Sequence, residues 1–127
     1  MMLRNLVLAL SLLLVATPAS AHAPGPGPNG GQIQHLANNA HVEVVARDNS
    51  ILIYLFTPDN VPLPAEGVKA TATVLSGGKP ESIPLQVTGS NVMQGKGDFH
   101  AQPGMKVVLS IALPGGRPVQ GRFTPLD

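Results

Sequence analysis

Ala40-His41-Val42-Glu43-Val44-Val45-Ala46-Arg47-Asp48-Asn49-Ser50-Ile51-Leu52-Ile53-Tyr54-Leu55-Phe56-Thr57 is the stretch whose reading decides the fold. In its first half Val42, Val44 and Ala46 fall on one side of a period-two pattern, and His41, Glu43, Val45 and Arg47 on the other. Asp48-Asn49 is a pair that tolerates positive φ, and Ile51–Thr57 is rich in β-branched and aromatic residues. A turn pair between two such runs predicts a β-hairpin.

The same pattern extends toward the C-terminus. Lys69–Ser76 and Glu81–Val87 flank Gly77-Gly78 and predict a second hairpin, with Pro84 arguing for a sheet edge because it has no hydrogen to donate. Val92–Gly97 reads as a short strand. Met105–Leu113 alternates cleanly, with Val107, Leu109, Ile111 and Leu113 on one face and Lys106, Val108, Ser110 and Ala112 on the other. Pro114-Gly115-Gly116 joins it to Arg117–Phe123, a third hairpin. Val61-Pro62-Leu63-Pro64 is an extended connection. The sum, about seven strands, predicts an all-β fold: an antiparallel β-sandwich of immunoglobulin-like type, with a small β-barrel as the alternative.

Composition agrees. Among 127 residues there are 14 Gly and 13 Pro, with one Tyr, three Phe and no Trp, which leaves little room for helices of ordinary length. No cysteine is present, so disulfides, thiolate metal sites and thiol catalysis are excluded. Eight basic residues against seven acidic ones form no basic stripe, and aromatic platforms are scarce, so nucleic acid is not an expected partner. The carboxylates are dispersed, no Ser sits in a G-x-S-x-G elbow, and Gly25-Pro26-Gly27 leads into Pro28 rather than a helix that could cradle phosphate. The residues therefore predict a protein that is not an enzyme.

Residues 1–21 have the three-part layout of an export signal: Arg4, the apolar run Leu6–Val15, and Pro18 ahead of Ala19-Ser20-Ala21. Cleavage after Ala21 makes His22 the new N-terminus. The product is expected in a bacterial periplasm, with no membrane insertion once the signal is removed. Residues 22–30 then form a flexible Pro/Gly-rich arm ending in the turn Asn29-Gly30-Gly31, and 31–127 the β domain.

The four histidines carry the remaining chemistry, since imidazole is the commonest metal ligand among side chains. His22 as a free N-terminus offers its amine and imidazole as a two-nitrogen chelate for Cu(II) or Ni(II). His41 and Glu43 share a strand face roughly 6–7 Å apart along the pleat, and both can reach one ion. His35, in the polar stretch before that strand, can swing toward His41. His100 has no supporting neighbour in sequence, and Met93 and Met105 read as core packing rather than as soft ligands for copper. His22, His35, His41 and Glu43 are thus the candidate metal ligands.

Pro28-Asn-Gly-Gly-Gln32, His41-Val-Glu-Val-Val45, Ala72-Thr-Val-Leu-Ser-Gly-Gly-Lys79, Gly95-Lys-Gly-Asp-Phe99, Pro103-Gly-Met-Lys-Val-Val108 and Leu113-Pro-Gly-Gly-Arg-Pro-Val-Gln-Gly-Arg-Phe123 carry a resemblance. The chain is similar to a group of small exported bacterial proteins. It also resembles the extra N-terminal β domain of some periplasmic adaptor subunits of heavy-metal efflux pumps. The resemblance implies a β-sandwich in metal handling, which binds an ion or docks to an efflux component, with His41 as a ligand and Glu43 beside it. The leader before the Pro-Asn-Gly-Gly turn is often His-rich in that family; here it holds a single His.

Two functions follow as expectations. One is a periplasmic accessory protein that captures and delivers copper or another divalent transition metal. The other is a non-enzymatic interaction module that docks on an efflux adaptor or other envelope protein without metal.

Overall fold

The computed structural model describes residues 24–127, and throughout them the regular structure is β-strand. The strands are β1 (Gly25–Pro26), β2 (Gln32–His35), β3 (His41–Arg47), β4 (Ser50–Phe56), β5 (Lys69–Leu75), β6 (Glu81–Val87), β7 (Val92–Lys96), β8 (Lys106–Ala112) and β9 (Val119–Phe123). All pairings are antiparallel and join the strands into one nine-stranded curled sheet in the order β1-β2-β3-β4-β7-β6-β5-β8-β9. The all-β antiparallel class expected from the period-two pattern is the class observed. The export signal and His22 lie outside the described residues.

The three hairpins read from the sequence are β3–β4, β5–β6 and β8–β9. Arg47 pairs with Ser50 across Asp48-Asn49, and Asp48 takes the positive φ (48°) that its short polar side chain tolerates. The period-two alternation sets which side chains share the core face. Val42, Val44, Ile51, Ile53 and Leu55 from the first hairpin meet Val107, Leu109 and Ile111 from the third in one hydrophobic core. Burying each of these side chains stabilises the fold by about 1.5–3 kcal/mol. Met93 and Met105 are also in that core, each 1% exposed, in keeping with packing.

Two strands escaped the sequence reading. Gln32–His35 is short and polar, so nothing in its composition marks it as β; it is held by pairing with β3, Gln32 opposite Val44 and His35 opposite His41. Its inward side chains are glutamines, and they reach across to the C-terminal segment. Gln32 Oε1 accepts from Thr124 N (2.9 Å), Gln32 Nε2 donates to Thr124 Oγ1 (3.2 Å), and Gln34 Nε2 donates to the Arg122 carbonyl. Side-chain amides therefore join the first part of the sheet to β9, where no backbone ladder runs.

Pro84 sits within β6, which lies between β5 and β7 in the sheet order, and the edge expected at it is a local one. The proline is accommodated because β6 changes partner along its length. Glu81–Leu85 pair with β5, whereas only Gln86 and Val87 pair with β7, so Pro84 faces a ladder on one side alone.

The arm is extended, as its prolines dictate, but part of it is laid on the sheet. Gly25 pairs with Ile33 and Pro26 with Gln32. The following turn then passes over the outer face of β3, where it covers Glu43 (0% exposed) and Val45 (3%). This approach needs glycine at two places. A Cβ on Gly27 would collide with the Glu43 side chain, and one on Gly31 would collide with the Val44 carbonyl.

Candidate functional site

Two short turns and two strands build the site. The β2–β3 connection is a tight turn in which Leu36 N donates to Ala40 O (2.9 Å) and Asn39 N to Leu36 O (3.0 Å). It sets His35 directly opposite His41, at a cross-strand position where Cβ atoms are about 4.5–5.5 Å apart. On the other side of β3, Phe56 is the cross-strand neighbour of His41. The chain then turns through Thr57–Val61, with Thr57 N donating to Val61 O (2.7 Å) and Asn60 N to Thr57 O (2.9 Å).

Both turns end in an asparagine in the left-handed region: Asn39 at φ 64° and Asn60 at φ 61°. Asparagine is among the few residues other than glycine that adopt it readily. Their side chains point back to the histidines. His41 Nδ1 lies 3.0 Å from Asn60 Oδ1, His41 Nε2 lies 3.1 Å from His35 Nδ1, and His35 Nε2 lies 3.5 Å from Asn39 Oδ1. The result is a linear array, Asn60–His41–His35–Asn39. The two rings meet edge to face, with centroids 4.6 Å apart and planes at 61°. Both histidines are half-buried.

Glu43, the expected oxygen donor beside His41, is engaged elsewhere. Its carboxylate accepts from Asn29 N (2.9 and 3.1 Å to its two oxygens), from Asn29 Nδ2 (2.8 Å) and from Gly31 N (2.9 Å). A buried carboxylate needs such donors, and here the arm's own turn supplies them. Glu43 is the anchor that fastens the arm to the sheet. Proximity along the strand was legible; the direction of the carboxylate depended on a contact 14 residues back in the chain.

His100 is exposed in the loop between β7 and β8, where its carbonyl accepts from Ser76 Oγ. The array therefore joins two of the predicted ligands, and His22 lies outside the described residues. Among the described residues no three His, Asp or Glu side chains converge to hold an ion. Along β1 the chain runs antiparallel to β2, so toward its N-terminal end it heads in the direction of His35.

The sequence reading missed Asn39 and Asn60 as members of the site. Each sits in a turn, and an asparagine that satisfies a turn gives no sign in the sequence of where its amide points. Beside the array lies a depression of about 280 Å³ lined by Pro26, Pro28, Ile33, Phe56 and Asn60.

No known protein family matches the chain, and neither a curated protein nor a solved structure is detectably similar to it.

Proposed function

We propose that this is an exported periplasmic accessory protein that captures a divalent transition-metal ion, copper first among them, and hands it on in metal handling or efflux without chemical turnover. One observation carries the reading: His35 Nδ1 and His41 Nε2 lie 3.1 Å apart. Two imidazole nitrogens bound to one ion at about 2.0–2.1 Å, with a ligand–metal–ligand angle of roughly 90–110°, are about 2.9–3.4 Å apart. The pair already has the spacing of two adjacent ligands.

Two protein nitrogens leave positions open on the ion. We assign a third contribution to His22, whose amine and imidazole become available at the processed N-terminus. Glu43 serves the site indirectly by fastening the arm that carries His22. An open coordination sphere suits capture and release, and the resemblance to the N-terminal domain of efflux adaptors supplies the class of recipient.

Calorimetric titration of the processed chain with Cu(II), Zn(II) and Ni(II) tests the proposal. Binding at micromolar affinity or tighter, about −8 kcal/mol, weakened by His35→Ala, by His41→Ala and by His22→Ala, supports it. Loss with His22→Ala alone reduces the site to a terminal chelate. Absence of heat with every ion, together with no thermal stabilisation at excess metal, rejects the reading.

A second reading, a docking module for an envelope protein, is favoured by the apolar depression formed by Pro26, Pro28, Ile33 and Phe56. A proline-rich segment that is already extended loses little entropy when a partner packs on it. A complex that survives replacement of both His35 and His41 would select this reading.

A further inference from the structure

The two asparagines that flank the histidines share a positive φ (64° at Asn39 and 61° at Asn60) and stand at opposite ends of the array. Each presents its carbonyl oxygen to an outer ring nitrogen, Asn60 Oδ1 to His41 Nδ1 and Asn39 Oδ1 to His35 Nε2. An amide oxygen only accepts, so a hydrogen bond to it requires hydrogen on the ring nitrogen that faces it. When both outer nitrogens carry hydrogen in neutral rings, both inner nitrogens, His41 Nε2 and His35 Nδ1, hold lone pairs. These are the two atoms that face each other at 3.1 Å.

We propose that Asn39 and Asn60 are positioning residues that select the ring tautomers of a two-imidazole cation site, with His41 ligating through Nε2 and His35 through Nδ1. The inference rests on the metal reading above and adds its donor atoms and the groups that orient them. Metal-bound histidines ordinarily donate their other ring hydrogen to a fixed oxygen, which sets the tautomer and steadies the ring. Here the oxygens come from turn residues. In the metal-free protein the shorter contact, at Asn60, governs: His41 holds its hydrogen on Nδ1, and His35 Nδ1 donates to His41 Nε2. An incoming ion takes the place of that central hydrogen, and His35 shifts to the tautomer that Asn39 accepts from.

Asn60→Gly and Asn39→Gly are the informative variants, because glycine keeps the left-handed turn and removes only the amide. Long-range proton–nitrogen NMR of the metal-free processed protein reads the tautomers, and Zn(II) titration by calorimetry reads affinity. The expected result is a His41 with hydrogen on Nδ1 in the wild type and a mixture of tautomers in Asn60→Gly. Zinc affinity should fall tenfold or more in each variant, with an unchanged fold. A wild-type His41 with its hydrogen on Nε2, or glycine variants with unaltered tautomers and unaltered zinc affinity, overturns the inference. Failure of zinc to bind the wild type, with His41 still fixed by Asn60, overturns the metal reading while the positioning of His41 stands.

Discussion

Gln32 and Thr124 lie 92 residues apart and exchange two hydrogen bonds, from Thr124 N to Gln32 Oε1 and from Gln32 Nε2 to Thr124 Oγ1. A side-chain amide carries the same donor and acceptor as a peptide group, so one glutamine can stand in for a rung of backbone ladder. These side-chain bonds bridge the curl of the sheet at a seam between β2 and the residue that follows β9.

Removing that rung should loosen the seam. Gln32→Ala leaves the half-buried Thr124 N–H without its acceptor, at a cost of about 1–3 kcal/mol. Urea unfolding gives the magnitude, and amide exchange should accelerate in β9 before it does in β3 or β4. Uniform acceleration through all strands would show that the seam is not a separate unit.

Glu43→Gln tests the anchor of the arm. The variant keeps the shape of the side chain but turns an NH₂ group toward N–H donors, so at least one buried bond is lost. Stability should fall by about 2–3 kcal/mol, and the amides of Asn29 and Gly31 should exchange rapidly. Slow exchange at both positions in the variant would assign the arm's attachment to β1 pairing instead.

Alanine at Gly31 should be worse than alanine at Gly27. The Cβ at position 31 meets the Val44 carbonyl in the middle of β3, which cannot move without breaking the sheet. At position 27 it meets the Glu43 side chain, which can shift only at the expense of its bonds to Asn29 and Gly31. We expect about 4 kcal/mol or more for Gly31→Ala and roughly 2–3 kcal/mol for Gly27→Ala, from thermal or chemical denaturation. The reverse order would indicate that Glu43, and not the β3 backbone, is the rigid partner.

Met93→Leu separates packing from ligation. The residue is 1% exposed in the core, and the volumes are similar, so stability should change by less than about 1.5 kcal/mol. Copper affinity should be unchanged in the same calorimetric titration. A weakened copper isotherm in a stably folded variant would bring the thioether into the site.

Much of the fold is legible because its signals are local. Val42, Val44 and Ala46 alternate with their neighbours whatever the rest of the chain does, and Asp48-Asn49 turns the chain wherever it stands. The strand Gln32–His35 is not legible, because its two glutamines face inward to meet Thr124 and Arg122, and an inward polar residue contradicts the pattern that marks a strand. Pro84 is legible only in part: a proline excludes one ladder at one point, and only the partner change along β6 shows how a strand inside the sheet order provides that.

For the site, the residue types were legible and their contacts were not. The sequence alone determined the hairpins, the alternation of faces along each strand and the presence of His35 and His41 near one another along the chain, since each follows from periodicity and turn chemistry within a few residues. Tertiary structure decided that their ring nitrogens meet at 3.1 Å, that Asn60, 19 residues from His41, turns its carbonyl oxygen to that ring, and that Glu43 belongs to the arm. These are consequences of strand register and of which loop crosses which face. A one-residue slip in register would reverse every one of them while leaving the local pattern of each segment unchanged.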